Sequence, residues 1–114
     1  MGGQRVSTYP VIRIAESDWN TFKRIRILAL ERFSQRVLED CQRICCDESL
    51  TAHERYGELN QLLQDRDRGM SAAFDDFRRS TARLCLKLMH RQGLVTDEEM
   101  MEFSPEVQRA MELD

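Results

Sequence analysis

Proline is nearly missing from this chain. Only Pro10 and Pro105 occur, and none lies between Ser17 and Gln92. That stretch therefore has room for long uninterrupted helices. Glycine is also sparse, with five in 114 residues and two of them at positions 2 and 3. No run approaches the roughly 20 apolar residues that span a bilayer, so no membrane contact is expected. The opening MGGQRVSTYPVIRIAE holds no unbroken apolar stretch of leader type, because Arg13 interrupts the only candidate. The expected address is the cytoplasm, where Cys41, Cys45, Cys46 and Cys85 remain thiols rather than a disulfide framework.

Chemistry-bearing motifs are scarce as well. A carboxylate-bridged dimetal site in a bundle needs Glu-x-x-His on two helices, but His53 and His90 are preceded three residues earlier by Leu50 and Lys87. Cys41, Cys45 and His53, with Asp47 or Glu54, are a weak zinc candidate, because cysteines on an apolar face are more often small core residues. In Asp65-x-Asp67-x-Gly69 the glycine comes one position too early for a calcium loop and lies in a helical pattern. There is no glycine-rich phosphate loop. Thiols in mid-helix lack free backbone N–H groups to stabilise an oxyanion. No catalytic residue, metal ligand set or cofactor is assigned, and enzyme activity is not expected.

What is present is helical pattern. The chain is one domain, 1–114, of all-α class: a long antiparallel hairpin followed by two short helices. Residues 1–15 read as an extended arm, with β-branched residues interrupted by Pro10 and with Val11, Ile12 and Ile14 needing cover. A helix is expected over 17–46, opened by Ser17 as N-cap with Asp18 in its first turn. Its apolar stripe is Trp19, Phe22, Leu30, Phe33, Val37, Cys41 and Ile44, with Arg26 completing the spacing. Asp47 to Leu50 form a turn, and Thr51 with Glu54 makes a capping box for a second helix over 51–92. That helix has a heptad-like seam with one slip near Phe74 and Phe77, and Gly93 stops it. Thr96 with Glu99 and Ser104-Pro105 open two short acidic helices within 96–114.

Three features point outward. The apolar faces are too wide for two helices to enclose, and the second helix overshoots the first by about ten residues, so a homodimeric four-helix bundle is expected. Arg26 and Arg66 occupy seam positions, where a lone buried charge costs several kcal/mol. With Glu31, Asp67 and Asp75 they are read as a polar layer that fixes register or partner choice. Arg26 with Arg66 as a small anionic ligand site is a weaker alternative.

Charge is uneven. Residues 97–114 carry seven acids and one base, while the whole chain is at −3. Arg79, Arg83, Lys87 and Arg91 form a basic stripe with possible phosphate contacts. Against nucleic acid stand the negative total and an acidic tail able to cover that stripe. Met100, Met101, Phe103 and Met111 offer an adaptable surface to a protein partner. The leading expectation is a non-enzymatic interaction or regulatory module, with a nucleic-acid-associated regulator as the alternative.

Overall fold

The computed structural model describes residues 14–112. Five α-helices follow one another: α1 Glu16–Cys45, α2 Ala52–Phe74, α3 Ala82–Arg91, α4 Asp97–Met100 and α5 Pro105–Glu112. A 3-10 turn, Arg79–Thr81, leads into α3. No strand occurs among the described residues. Of the N-terminal arm only Ile14 and Ala15 are described. Ile14 is buried, while Val11 and Ile12 lie outside the described residues.

The hairpin forms where the local chemistry places it. Thr51 Oγ1 accepts from the Glu54 N–H, and the Glu54 carboxylate accepts from the Thr51 N–H, which closes the expected box at the start of α2. The same reciprocal pair joins Thr96 and Glu99 at the start of α4. Gly93 has φ +72°, the left-handed value that ends a helix and turns the chain toward Leu94. The first helix differs in one detail. It begins at Glu16 with Ala15 at the cap position, so Ser17 is already helical.

The continuous helix expected over 51–92 is not there. The chain leaves helical geometry after Phe74, and α3 starts again at Ala82. Side chains around the break bond to one another and to backbone carbonyls that a helix would use. Arg78 grips the Asp76 carboxylate with Nε and a terminal nitrogen, and Thr81 Oγ1 donates to the Asp76 and Arg78 carbonyls. Ser, Thr and Asp favour such local bonds over helix interiors. The larger cause is burial. A straight helix would have carried Leu84 to Met89 past the start of α1, whereas the break folds α3 back onto the hairpin.

The core accordingly sits at one end. Phe22, Ile25 and Ala29 of α1 pack with Ala73 and Phe74 of α2. Ala82, Cys85, Leu86 and Met89 of α3 close over them, and Leu94, Val95, Met100, Phe103 and Val107 complete the head. Beyond that head the hairpin continues as a two-helix arm. The molecule is elongated, 67 × 33 × 22 Å, with a radius of gyration of 18.5 Å. A compact chain of this length has roughly 13 Å.

Candidate functional site

The helical period divides α1 into stripes with different fates. Asp18, Phe22, Ile25, Ala29, Arg32 and Arg36 recur at alternating four- and three-residue steps and share one face. The C-terminal segment lies on it. Asp18 is buried, 3% exposed, and its carboxylate accepts from the Ser104 N–H at 2.8 Å and the Ser104 hydroxyl at 2.7 Å. Arg32 holds both oxygens of Glu99 at 2.7 Å and also donates to the Leu94 carbonyl. Arg36 donates to the Gln92 and Gly93 carbonyls, just past the end of α3. Arg24 pairs with Glu102.

The guanidinium of Arg32 is the main reason the Glu99 carboxyl is held down at about 2. This clamp of Asp18, Arg32, Arg36 and Glu99 was not singled out from sequence. Its signal was there, in two arginines that continue an apolar stripe and a tail rich in acids. The sequence left open whether the acidic tail covers the stripe of the second helix; Glu99 and Glu102 of that tail engage α1.

The five residues of the expected polar layer do not form a layer. Arg26 donates to the Phe74 carbonyl at 2.7 Å, and its guanidinium lies 4.5 Å from the centre of the Phe77 ring. It thus satisfies the last turn of α2, which the break left with free carbonyls, and stacks on an aromatic face. Arg66 pairs with Asp40 at 2.8 Å rather than with Glu31. Helical side chains lean toward their own N-terminus, and in α2 that direction is toward the hairpin tip, where Asp40 lies. Arg66 and then Arg43 hold the Asp40 carboxyl below its ordinary range. Asp75 accepts from the Ser71 hydroxyl, while Glu31 is exposed and Asp67 lies on the rim of a groove. Arg26 and Arg66 therefore share no anion pocket.

The basic stripe is partly spent. Arg79 lies in the 3-10 turn and donates to the Ile14 carbonyl at 2.9 Å. Arg83 is half-buried, and Lys87 and Arg91 are engaged as well. Among the proposed partner-surface residues, Met100 and Phe103 are in the core, Met111 packs against it, and Met101 stands exposed. Cys41 is half-buried, Cys45 and Cys46 are exposed near the tip, and buried Cys85 has its thiol pushed up mainly by desolvation. No group of three or more His, Cys, Asp or Glu able to hold a metal ion occurs among the described residues. No described helix is long and apolar enough to cross a membrane.

A different surface is left over. Ile27, Leu30, Ser34, Leu38, Cys41 and Cys45 form a second stripe on α1, away from the clamp. Across the seam α2 contributes Ala52, Tyr56, Leu59, Leu63 and Met70, with the charged Arg55, Arg66 and Asp67 beside them. Two grooves open on this side. One, of about 260 Å³, is lined by Phe33, Val37, Leu38 and Met70 with polar rim residues. The other, nearer the tip, is lined by Cys45, Ala52, Arg55, Tyr56 and Leu59. Ile27 is 67% exposed, Leu38 64% and Tyr56 70%, and Leu63 is exposed beside them. The opposite side of the hairpin is either covered by the C-terminal elements or charged, with Arg36, Asp40 and Arg43. Comparison of the chain with protein-family models, curated proteins and solved structures gives no match.

Proposed function

We propose that this chain is a non-enzymatic interaction module that works as a homodimer, two hairpins closing face to face into a four-helix bundle. The observation that carries the reading is the open apolar face, which runs the length of the hairpin from Ile27 to Tyr56. Isolated exposed apolar residues are ordinary, but a contiguous stripe on both helices of an elongated arm is the surface that a partner helix pair covers. The reading places the protein in the cytoplasm and gives its remaining exposed features, Met101 with half-buried Met111, to a protein partner.

The nucleic-acid alternative has less support, because Arg79 is committed to a backbone carbonyl and the acidic tail stays on the molecule. The small-ligand alternative has less still, since Arg26 and Arg66 answer to different partners. Absolute mass by light scattering tests the proposal. The expected mass is twice 13.4 kDa, unchanged between low and high salt. Leu38→Asp should shift it to the monomer, because a carboxylate buried in an apolar interface without a partner costs several kcal/mol. Leu38 is so exposed in one chain that the substitution leaves the head intact. A monomeric native protein overturns the reading.

A further inference from the structure

We infer that residues 75–81 are a hinge through which two copies of this chain exchange everything from Ala82 onward. In the exchanged pair α2, the hinge and α3 straighten into one helix. The α3 part and the C-terminal segment then dock on the partner's α1. The inference goes beyond the face-to-face dimer and does not depend on it, because it uses none of the open stripe.

The hinge itself is the first observation. Asp75 to Thr81 contain neither glycine nor proline, and no residue among them has a positive φ. Asp75, at φ −72° and ψ −32°, and Ala82, at φ −58° and ψ −38°, are still helical on either side. Arg78, at φ −137° and ψ 150°, is extended, a conformation that an ordinary residue exchanges freely for the helical one. Nothing in the backbone forbids a helix through the break. Side chains hold it open: Arg26 on the Phe74 carbonyl, Arg78 on the Asp76 carboxylate and Thr81 on the Asp76 and Arg78 carbonyls. A straight helix gives up those bonds and recovers backbone bonds across the same residues.

The second is the apolar pattern. Ala73, Phe77, Thr81, Leu84 and Leu88 follow at four- and three-residue steps straight through the break. Folding α3 back leaves two of them stranded, with Phe77 46% exposed and Leu84 60%. They are seven residues apart and share one face of a continuous helix. Over 52–91 that helix is about 60 Å long. Where two such helices cross at their hinges, those faces meet.

The third is what ties the exchanged part to the rest. Its polar ties are Asp18 with Ser104, Arg32 with Glu99, Arg24 with Glu102, and Arg36 with the Gln92 and Gly93 carbonyls. Its apolar residues Leu86, Met89 and Phe103 share one core with Phe22 and Ile25. Every one of these contacts joins α1 to a residue beyond the hinge. Each forms between copies as readily as within one, so the exchange needs no self-complementary surface. It does require the head to open, which makes it slow.

Charge complementation tests the exchange in Leu38→Asp protein, designed to block pairing through the open face. Arg32→Glu and Glu99→Arg are made separately in that background. Each chain alone sets two like charges against each other at the clamp, whereas an exchanged pair of the two joins opposite charges at both clamps. The two are unfolded together in urea, refolded at high concentration and weighed by native mass spectrometry. The expected product is a dimer with one chain of each kind, roughly tenfold more abundant than either like pair. Two further variants keep the clamp intact. Arg78→Ala removes the grip on Asp76 and adds a strong helix former, so the refolded dimer fraction should rise several-fold. Arg79→Pro should lower it about a hundredfold, because proline fits the start of the 3-10 turn after an extended residue but breaks a helix interior. A mixed sample without the mixed dimer overturns the inference. A dimer fraction that Arg79→Pro leaves unchanged overturns it as well, since the copies then meet without straightening the hinge. Neither result bears on the face-to-face reading, which the mass of protein that was never unfolded decides.

Discussion

Glu99 closes the capping box at Thr96 and binds Arg32 through both carboxylate oxygens at the same time. Its carboxyl sits at about 2 against the usual 4.5, held there first by Arg32. A carboxyl depressed on folding adds stability above its unfolded value and loses it as pH falls through the folded one. The contribution of Glu99 is therefore complete above about pH 4.5 and fades toward pH 2. Glu99→Gln retains a capping-box side chain but removes the charge, so the effect of the ion pair is isolated. The expected loss at neutral pH is about 2 kcal/mol, discounted because Arg32 is one-third exposed. Urea titrations at pH 7 and pH 3 should show the gap between the two proteins narrowing in acid. An undiminished gap would mean that the carboxylate is not what holds the tail.

At the scale of elements, the break after Phe74 organises everything C-terminal to it. Phe74 ends α2, its carbonyl is taken by Arg26, and Phe77 meets Trp19 with tilted rings and stacks with Phe22. The slip in the heptad pattern near Phe74 and Phe77 was legible in the sequence, yet a slip alone does not distinguish a seam that drifts from a helix that stops. Burial of α3 decided it. The turn after α3 depends on a single residue in the same way. Gly93 has φ +72°, and a methyl group there would meet the Arg36 guanidinium nitrogens only at 3.7 and 3.8 Å, an ordinary contact. The cost of Gly93→Ala is then backbone strain alone, about 1 kcal/mol, read as a lower thermal midpoint with the mass by light scattering unchanged from the native protein. A much larger loss would mean that the turn also relies on space that the alanine fills.

Across the whole molecule stability is divided unequally. The head has five helices around one core, whereas the tip half of the hairpin has only two helices facing each other. Regions with few buried apolar contacts open at lower free energy than the core. In Leu38→Asp protein, designed to block the proposed pairing, amides within 37–64 should exchange with deuterium faster than those of 22–29 and 82–89. In the proposed dimer the partner hairpin should protect both regions. Equal protection in the monomeric variant would show that the arm needs no partner to be stable, and would weaken the case for the bundle.

The first long helix, the turn at 47–50, both capping boxes and the stop at Gly93 followed from the sequence, because each depends on a few neighbouring residues acting through local bonds; the break after Phe74 did not. The apolar stripe of α1 and the excess width of the hairpin faces were equally legible, since helical period is a local property. Which stripe would be covered was not. The period places Ile25 and Ile27 on different faces of one helix, but nothing local says that the C-terminal segment lies on the first and leaves the second open. That choice belongs to pairs distant in the chain: Asp18 with Ser104, Arg32 with Glu99, Arg26 with Phe74. It was settled by tertiary structure because folding α3 back buries Leu86 and Met89 and brings those charges within reach of each other, an energy that exists only once the chain has closed.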